Sequence, residues 1–307
     1  MQSLIRHIVD QVGTVLLGKE LQVRQSLACL LAGGHLLIED LPGMGKTVLS
    51  HALARTLGLS YNRIQFTSDV LPADILGISV FERDAGTFRF HPGPVFAQLV
   101  LADEINRTTP KTQSALLEAM EEGQVTVEGE TRALPQPFFV IATQNPVSQA
   151  GTYPLPESQL DRFLMRIELG YPDAAAEREL LRGTDRRLLL DALEPALELD
   201  ALAALQEEAE RVRVSDPLMD YLQRLIRHTR ESPEFAWGLS PRGALALLRA
   251  TRSWALIDGR DHAQPEDLQA VLPAVVAHRL REAAAQGGTA SGATLSARLL
   301  AAVDVVG

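Results

Sequence analysis

The stretch LLIEDLPGMGKTVLS, residues 36–50, constrains this chain more than any other. An apolar run ends in a Pro-Gly turn, and Lys46-Thr47 then opens a segment of helical spacing. A strand, a glycine-rich turn and a helix N-terminus in that order make a cradle for a triphosphate. Gly43 and Gly45 let backbone N–H groups crowd the anion, Lys46 supplies charge, and the Thr47 hydroxyl can ligate Mg²⁺. Pro42, Gly43, Met44, Gly45, Lys46, Thr47 and Val48 are therefore the predicted phosphate-contacting set. The pattern asks for a first glycine where the chain has Asp40. Asp tolerates left-handed geometry, but a carboxylate aimed into the loop would repel a nucleotide. On that basis Asp40→Gly is expected to leave ATP affinity equal or tighter.

Around this loop, β-type runs alternate with helical patterns: HLLIE (35–39), YNRIQFT (61–67), QLVLADE (98–104), FFVIATQ (138–144) and MRIEL (165–169). Unbroken apolar runs such as Leu99-Val100-Leu101 suit strands covered on both faces, so the spacing predicts a three-layer α/β core with a parallel sheet. Segments 78–93 and 123–135 alternate around Asp84-Ala85-Gly86 and Glu128-Gly129 and read as β-hairpins projecting from that sheet. After GYPD (170–173) the strand signals vanish, and apolar positions recur at three and four, as in DPLMDYLQRLIRHT. Asp173 and Ser240 stand where helix N-caps would, with Pro241 in a first turn. The predicted division is an α/β core over 1–172 and an all-α lid over 173–307, with a loose, small and polar tail at 283–296.

A second acidic box follows the loop. QLVLADEINR brings apolar residues to Asp103, at the end of a strand, where it can hold Mg²⁺ through water. Glu104 is then placed to orient or deprotonate an attacking water. FFVIATQNP carries a buried strand out to Asn145, which either positions that water or ends the strand in an Asn-Pro turn. Arg107 either acts on another subunit or braces the acidic turn.

These blocks, with RIQFTSDVLPADILG, the SQLDRF segment and GLSPRGALALL, occur in an order that resembles the MoxR family of AAA+ ATPases, in the clade with a hairpin inserted in its second helix and related to the magnesium chelatase ATPase subunit. The likeness runs over about residues 4–282. It implies a P-loop AAA+ core followed by a helical lid, with Lys46 and Thr47 as the Walker A pair, Asp103 and Glu104 as the Walker B pair, and Asn145 as sensor 1. It implies Arg162 as an arginine finger reaching a neighbour's γ-phosphate, and Arg242 as sensor 2, sent from the lid to the same phosphate, so that lid rotation would follow the nucleotide. Read from the residues alone, either arginine could instead serve a structural salt bridge. The Gly18-Lys19 segment resembles the one that packs by the adenine.

The expected activity is Mg²⁺-dependent ATP hydrolysis in a homo-oligomeric ring, a hexamer in most relatives. The expected role is chaperone-like remodelling that matures client complexes or inserts cofactors and metals, together with a von Willebrand factor A domain partner. The alternatives are a nucleic-acid motor and a nucleotide-gated scaffold that does not hydrolyse. With 39 acidic against 29 basic residues, the formal charge of -10 repels phosphate polymers. The hairpins mix Arg83, Arg89, His91 and Arg132 with Glu82, Asp84, Glu128 and Glu130, so no nucleic-acid partner is expected. A single cysteine, Cys29, and no span of roughly 20 apolar residues favour a cytoplasmic chain without membrane insertion.

Overall fold

The computed structural model describes residues 2–84, 86–146, 151–183, 186–283 and 292–306; Ala85 of the first hairpin turn and most of the tail expected to be loose, 284–291, lie outside them. The strands are β1 (Leu36–Glu39), β2 (Tyr61–Gln65), the pair β3 (Gly77–Glu82) and β4 (Thr87–Pro92), β5 (Leu99–Asp103), the pair β6 (Gln124–Val127) and β7 (Glu130–Ala133), β8 (Phe139–Gln144) and β9 (Met165–Ile167). Five of them form one parallel sheet in the order β2-β5-β8-β1-β9.

Side chains alternate across a strand, so each strand feeds two cores. Leu36, Ile38, Leu99, Leu101 and Ile141 face the side covered by α1 (Gln2–Val15), α2 (Glu20–Leu31) and α3 (Lys46–Thr56). Leu37, Val100, Ala102 and Val140 face the side covered by α4 (Pro72–Leu76) and α5 (Pro110–Glu122). Burial on both faces is what the unbroken apolar runs require. Each fully buried Leu or Ile contributes on the order of 1.5–3 kcal/mol.

The two hairpins leave this frame where α4 and α5 end. Both are antiparallel with unbroken register. They meet through the Arg132 guanidinium, 3.9 Å from the centre of the Phe90 ring.

Past the short α6 (Glu157–Leu160), the chain continues as α7 (Ala174–Arg182), α8 (Arg186–Asp191), α9 (Leu199–Arg211), α10 (Asp216–Glu231), α11 (Pro241–Ile257), α12 (Pro265–Val276) and α13 (Gly292–Ala302). Asp173 caps α7 by accepting from Ala176 N at 2.8 Å, and Ser240 caps α11 by accepting from Gly243 N at 3.0 Å. One feature departs from the all-helical expectation. β10 (Phe235–Trp237) pairs antiparallel with β11 (Arg281–Glu282), a ribbon too short for period-two alternation to register and closed by a partner more than 40 residues away. The helices are not detached from the sheet, because Leu202 and Leu205 of α9 and Leu247 and Ala250 of α11 share a core with Leu27 and Leu31 of α2. Among the described residues no helix is long and apolar enough to cross a membrane.

Candidate functional site

Parallel strands deliver their C-terminal ends to one edge, and the strand order makes neighbours of β5, β8 and β1 there. Asp103 ends β5, Asn145 follows β8, and the loop 40–45 follows β1. The loop then turns into α3 with Gly43 at φ 85° and Gly45 at φ 96°, backbone that a residue with a Cβ rarely adopts. Lys46, at the start of α3, is close enough to Asp40, Asp103 and Glu104 for their charges to raise its pKa. Burial outweighs them and lowers the ammonium below its ordinary value.

Asp40 behaves differently from the sequence expectation. It is not left-handed; among the described residues only Glu104 and Glu128 are non-glycines with positive φ. The residue is buried, and its carboxylate is engaged by backbone donors. Oδ2 accepts from Leu169 N at 2.7 Å and Gly170 N at 2.6 Å, and Oδ1 accepts from Leu41 N at 2.7 Å. Its carbonyl oxygen accepts from the Lys46 ammonium. The residue that stands for the first glycine therefore ties the phosphate loop to the segment that follows β9, and its carboxylate is already engaged. The expectation that Asp40→Gly leaves ATP affinity equal or tighter loses its basis.

The acidic pair is held by groups that sequence reasoning passed over. Thr143, fully buried on β8, donates to Asp103 Oδ1 at 2.6 Å and accepts from Glu104 N at 2.9 Å. Arg63 and Gln65 lie two apart on β2, which pairs with β5. Arg63 ion-pairs with Asp103 Oδ2 at 2.6 Å, and Gln65 Nε2 donates to Glu104 Oε2 at 3.0 Å. The signal for all three is register: once β2 and β8 flank β5, polar residues near their ends must face the acids. Glu104 itself is left-handed at φ 58°, strain of about 1–2 kcal/mol that the Thr143 hydroxyl helps hold. Arg107 Nε lies 3.3 Å from Glu104 Oε2, which favours the bracing alternative.

Gly18 sits beside this edge. At φ 66° it packs so closely that a Cβ would lie 2.9 Å from Ala176 Cβ, while Lys19 donates to Tyr171 O at 2.6 Å. Leu16, two residues earlier, abuts Gly45. The 16–19 segment thus links the phosphate loop to the first helix past residue 173.

Arg162 and Arg242 are not brought to this edge. They stand together at the opposite one, where α5 ends and β9 has yet to begin. Glu121 bridges them: its Oε2 lies 3.1 Å from Arg162 Nε, and its Oε1 accepts from Arg242 Nη2 at 2.6 Å. The cleft they line, about 180 Å³, also takes in His35, which precedes β1. Lys46 lies past the other end of that strand, about 13 Å of β1 away. Arg242 accordingly does not point from the lid to its own chain's phosphate loop.

The residues at the C-terminal edge suit a magnesium-bound triphosphate: hard oxygen donors in Asp103 and Thr47, a half-buried ammonium, and a loop whose two left-handed glycines keep backbone N–H groups uncovered.

Comparison with known proteins agrees with this layout. Residues 35–165 match the model of the ATPase family associated with various cellular activities (AAA), and residues 227–300 match the AAA lid domain. The chain is 46% identical over 280 residues to the uncharacterized protein YeaC of Bacillus subtilis, covering 91% of this chain and 88% of the relative. It is 40% identical over 285 residues to Chaperone MoxR1 of Mycobacterium tuberculosis, covering 90% and 75%. A crystal structure of a candidate ATPase from Cytophaga hutchinsonii superposes with a TM-score of 0.90 at 36% identity, over 99% of this chain and 95% of that one.

Proposed function

Since the chain belongs to the MoxR family of AAA+ ATPases, we propose that it hydrolyses Mg²⁺-bound ATP in a ring of identical protomers and uses the energy to remodel client proteins during assembly or cofactor insertion. Lys46 holds the β and γ phosphates, the loop from Pro42 to Val48 wraps them, and Gly18 packs by the base. Thr47 and Asp103 hold the metal, which when bound neutralises charge developing on the phosphates. Glu104 activates water, and Asn145 orients it. We place the boundary between the nucleotide-binding core, 1–172, and the lid, 173–307, at the Gly18–Asp173 junction, and the protein in the cytoplasm. A von Willebrand factor A domain protein is the partner we expect.

The observation that carries this reading is the separation of the two charge sets. Acids and Lys46 occupy one edge of the sheet, while Arg162 and Arg242 occupy the other. A protomer cannot bring its own Arg162 and Arg242 to its own nucleotide, but a neighbour in a head-to-tail ring can. Arginines supplied this way are worth about 10³ to 10⁵ in rate.

The hairpins support a protein client over a nucleic-acid strand. Two of their three arginines are paired within a hairpin, Arg89 with Glu82 at 3.3 Å and Arg132 with Glu130, which leaves Arg83 at the first turn, whereas Phe81 and Phe88 are 50% and 73% exposed. Exposed aromatic groups beside one guanidinium unpaired among the described residues suit exposed apolar chain more than a run of phosphates.

Phosphate release measured over a range of protein concentrations tests the proposal. Turnover per protomer should rise with concentration and be lost in Glu104→Gln. Activity that is independent of concentration, or indifferent to Glu104, overturns it.

A further inference from the structure

The cleft at the arginine edge holds more than two guanidiniums. Arg162, Arg242, Arg249 and Arg279 line it, against two carboxylates, Glu121 and Asp161. Arg242, Ala246 and Arg249 follow the i, i+4, i+7 stripe of one face of α11. Arg279 is the buried foundation. It pairs with Asp161 Oδ1 at 2.7 Å and donates to the carbonyls of Phe163 at 2.6 Å and Leu164 at 3.0 Å, which fixes the backbone that carries Arg162. Asp161 Oδ2 in turn accepts from the Ser240 hydroxyl at 3.0 Å, the same hydroxyl that caps α11 two residues before Arg242. The backbones under both arginines are thus stapled to each other.

Stapling backbones does not settle the side chains. Two guanidiniums held this close repel one another, and each has a long, rotamer-rich stem. Glu121, at the end of α5, resolves this by pairing with both: Oε2 ion-pairs with Nε of Arg162, and Oε1 accepts from Nη2 of Arg242. Among the described residues, Arg162 and Arg242 have no ion-pair partner besides Glu121, in a cleft whose arginines outnumber its acids.

We propose that Glu121 is a positioning residue for ATP hydrolysis: its carboxylate holds the Arg162 and Arg242 guanidiniums as one unit that presents its free N–H groups to the terminal phosphate of a neighbouring protomer's nucleotide. This rests on the reading that these arginines act between protomers. Glu121 touches neither phosphate nor metal. It acts through the two arginines, and its loss leaves them mutually repelled and misaimed.

The test is Glu121→Gln, which keeps the shape and removes the charge. At saturating ATP and protein, kcat should fall roughly 10- to 100-fold, the size of effect that misplacement by about an ångström can have. The KM for ATP should stay within about twofold, since the Lys46 loop lies at the other edge of the sheet. Thermal melting should hardly move, because the bridge is about one-third exposed. In an Arg242→Ala background, where Glu121 has one guanidinium left to hold, the same substitution should cost several-fold less than in the wild type, which a merely structural role would not give. An unchanged kcat, a raised KM with kcat intact, or an equal loss in the Arg242→Ala background overturns the inference. If Arg162→Ala alone retains full turnover, the reading beneath it fails instead; if that variant is dead and Glu121→Gln keeps full turnover, only the role of Glu121 fails.

Discussion

Asp40 shows how one side chain can change sides. Quoted from the sequence it is an acid in a phosphate loop, a liability; folded, it is a two-bond clasp between that loop and residues 169–170, with a third bond inside the loop to Leu41 N. Removing it strands three backbone donors that it now satisfies, so Asp40→Ala should destabilise the chain by about 2–4 kcal/mol in urea unfolding. ATP affinity should fall with it, since the Lys46 ammonium leans on the Asp40 carbonyl. His35 makes a different kind of prediction. Its ring lies between Met120 O, 3.0 Å from Nε2, and Val140 N, which donates to Nδ1 at 3.0 Å, so it is held neutral with the proton on Nε2. Burial, more than any neighbour, pushes its pKa down from 6.5 to about 4. Above pH 6.5 folded and unfolded chains are both neutral there and the stability is intact. Between pH 6.5 and 4 the unfolded chain gains a proton that the folded one refuses, so stability falls by about 3 kcal/mol and levels off below. His278, also buried and lowered, adds in the same direction. A His35→Asn variant, however stable at neutral pH, should lose less over that window.

Among the elements, α11 matters most, because its N-terminus is both capped and anchored. Ser240→Ala removes the cap, worth about 1 kcal/mol, together with the bond to Asp161. Turnover should drop with stability, because Arg242 rides on that first turn. Ser215→Ala, which uncaps α10 in the same way but far from the arginines, should cost stability with turnover kept. Unfolding curves and phosphate release on the two variants check this. α11 was legible as a helix from its spacing and its Ser-Pro start, since both are local. Its reach to α5 through Arg242 and Glu121 was not, because no residue of α11 records which acid lies within range. The β10–β11 ribbon escaped for a related reason: two or three residues hold no period, and pairing supplies the order that propensity lacks.

For the whole molecule, the decisive quantity is which edge of the sheet each charge occupies. If active sites form between protomers, Lys46→Ala and Arg162→Ala should each be inactive alone. Mixed in equal amounts they should recover about a quarter of the wild-type rate, the random share of interfaces with an intact loop on one side and intact arginines on the other. Recovery of nothing at concentrations where the wild type is fully active would mean that the sites are not shared. The parallel sheet, the two hairpins, Lys46, Asp103 and the N-caps were all readable in advance, because backbone angles, strand alternation and capping are decided within a few residues. Tertiary structure alone decided that Asp40 faces residues 169–170, that Arg63, Gln65 and Thr143 serve the acids, and that Arg242 joins Arg162 on Glu121. Each of those depends on which strands and helices become neighbours. That is a property of the packed sheet and its two cores, and no local stretch of chain encodes it.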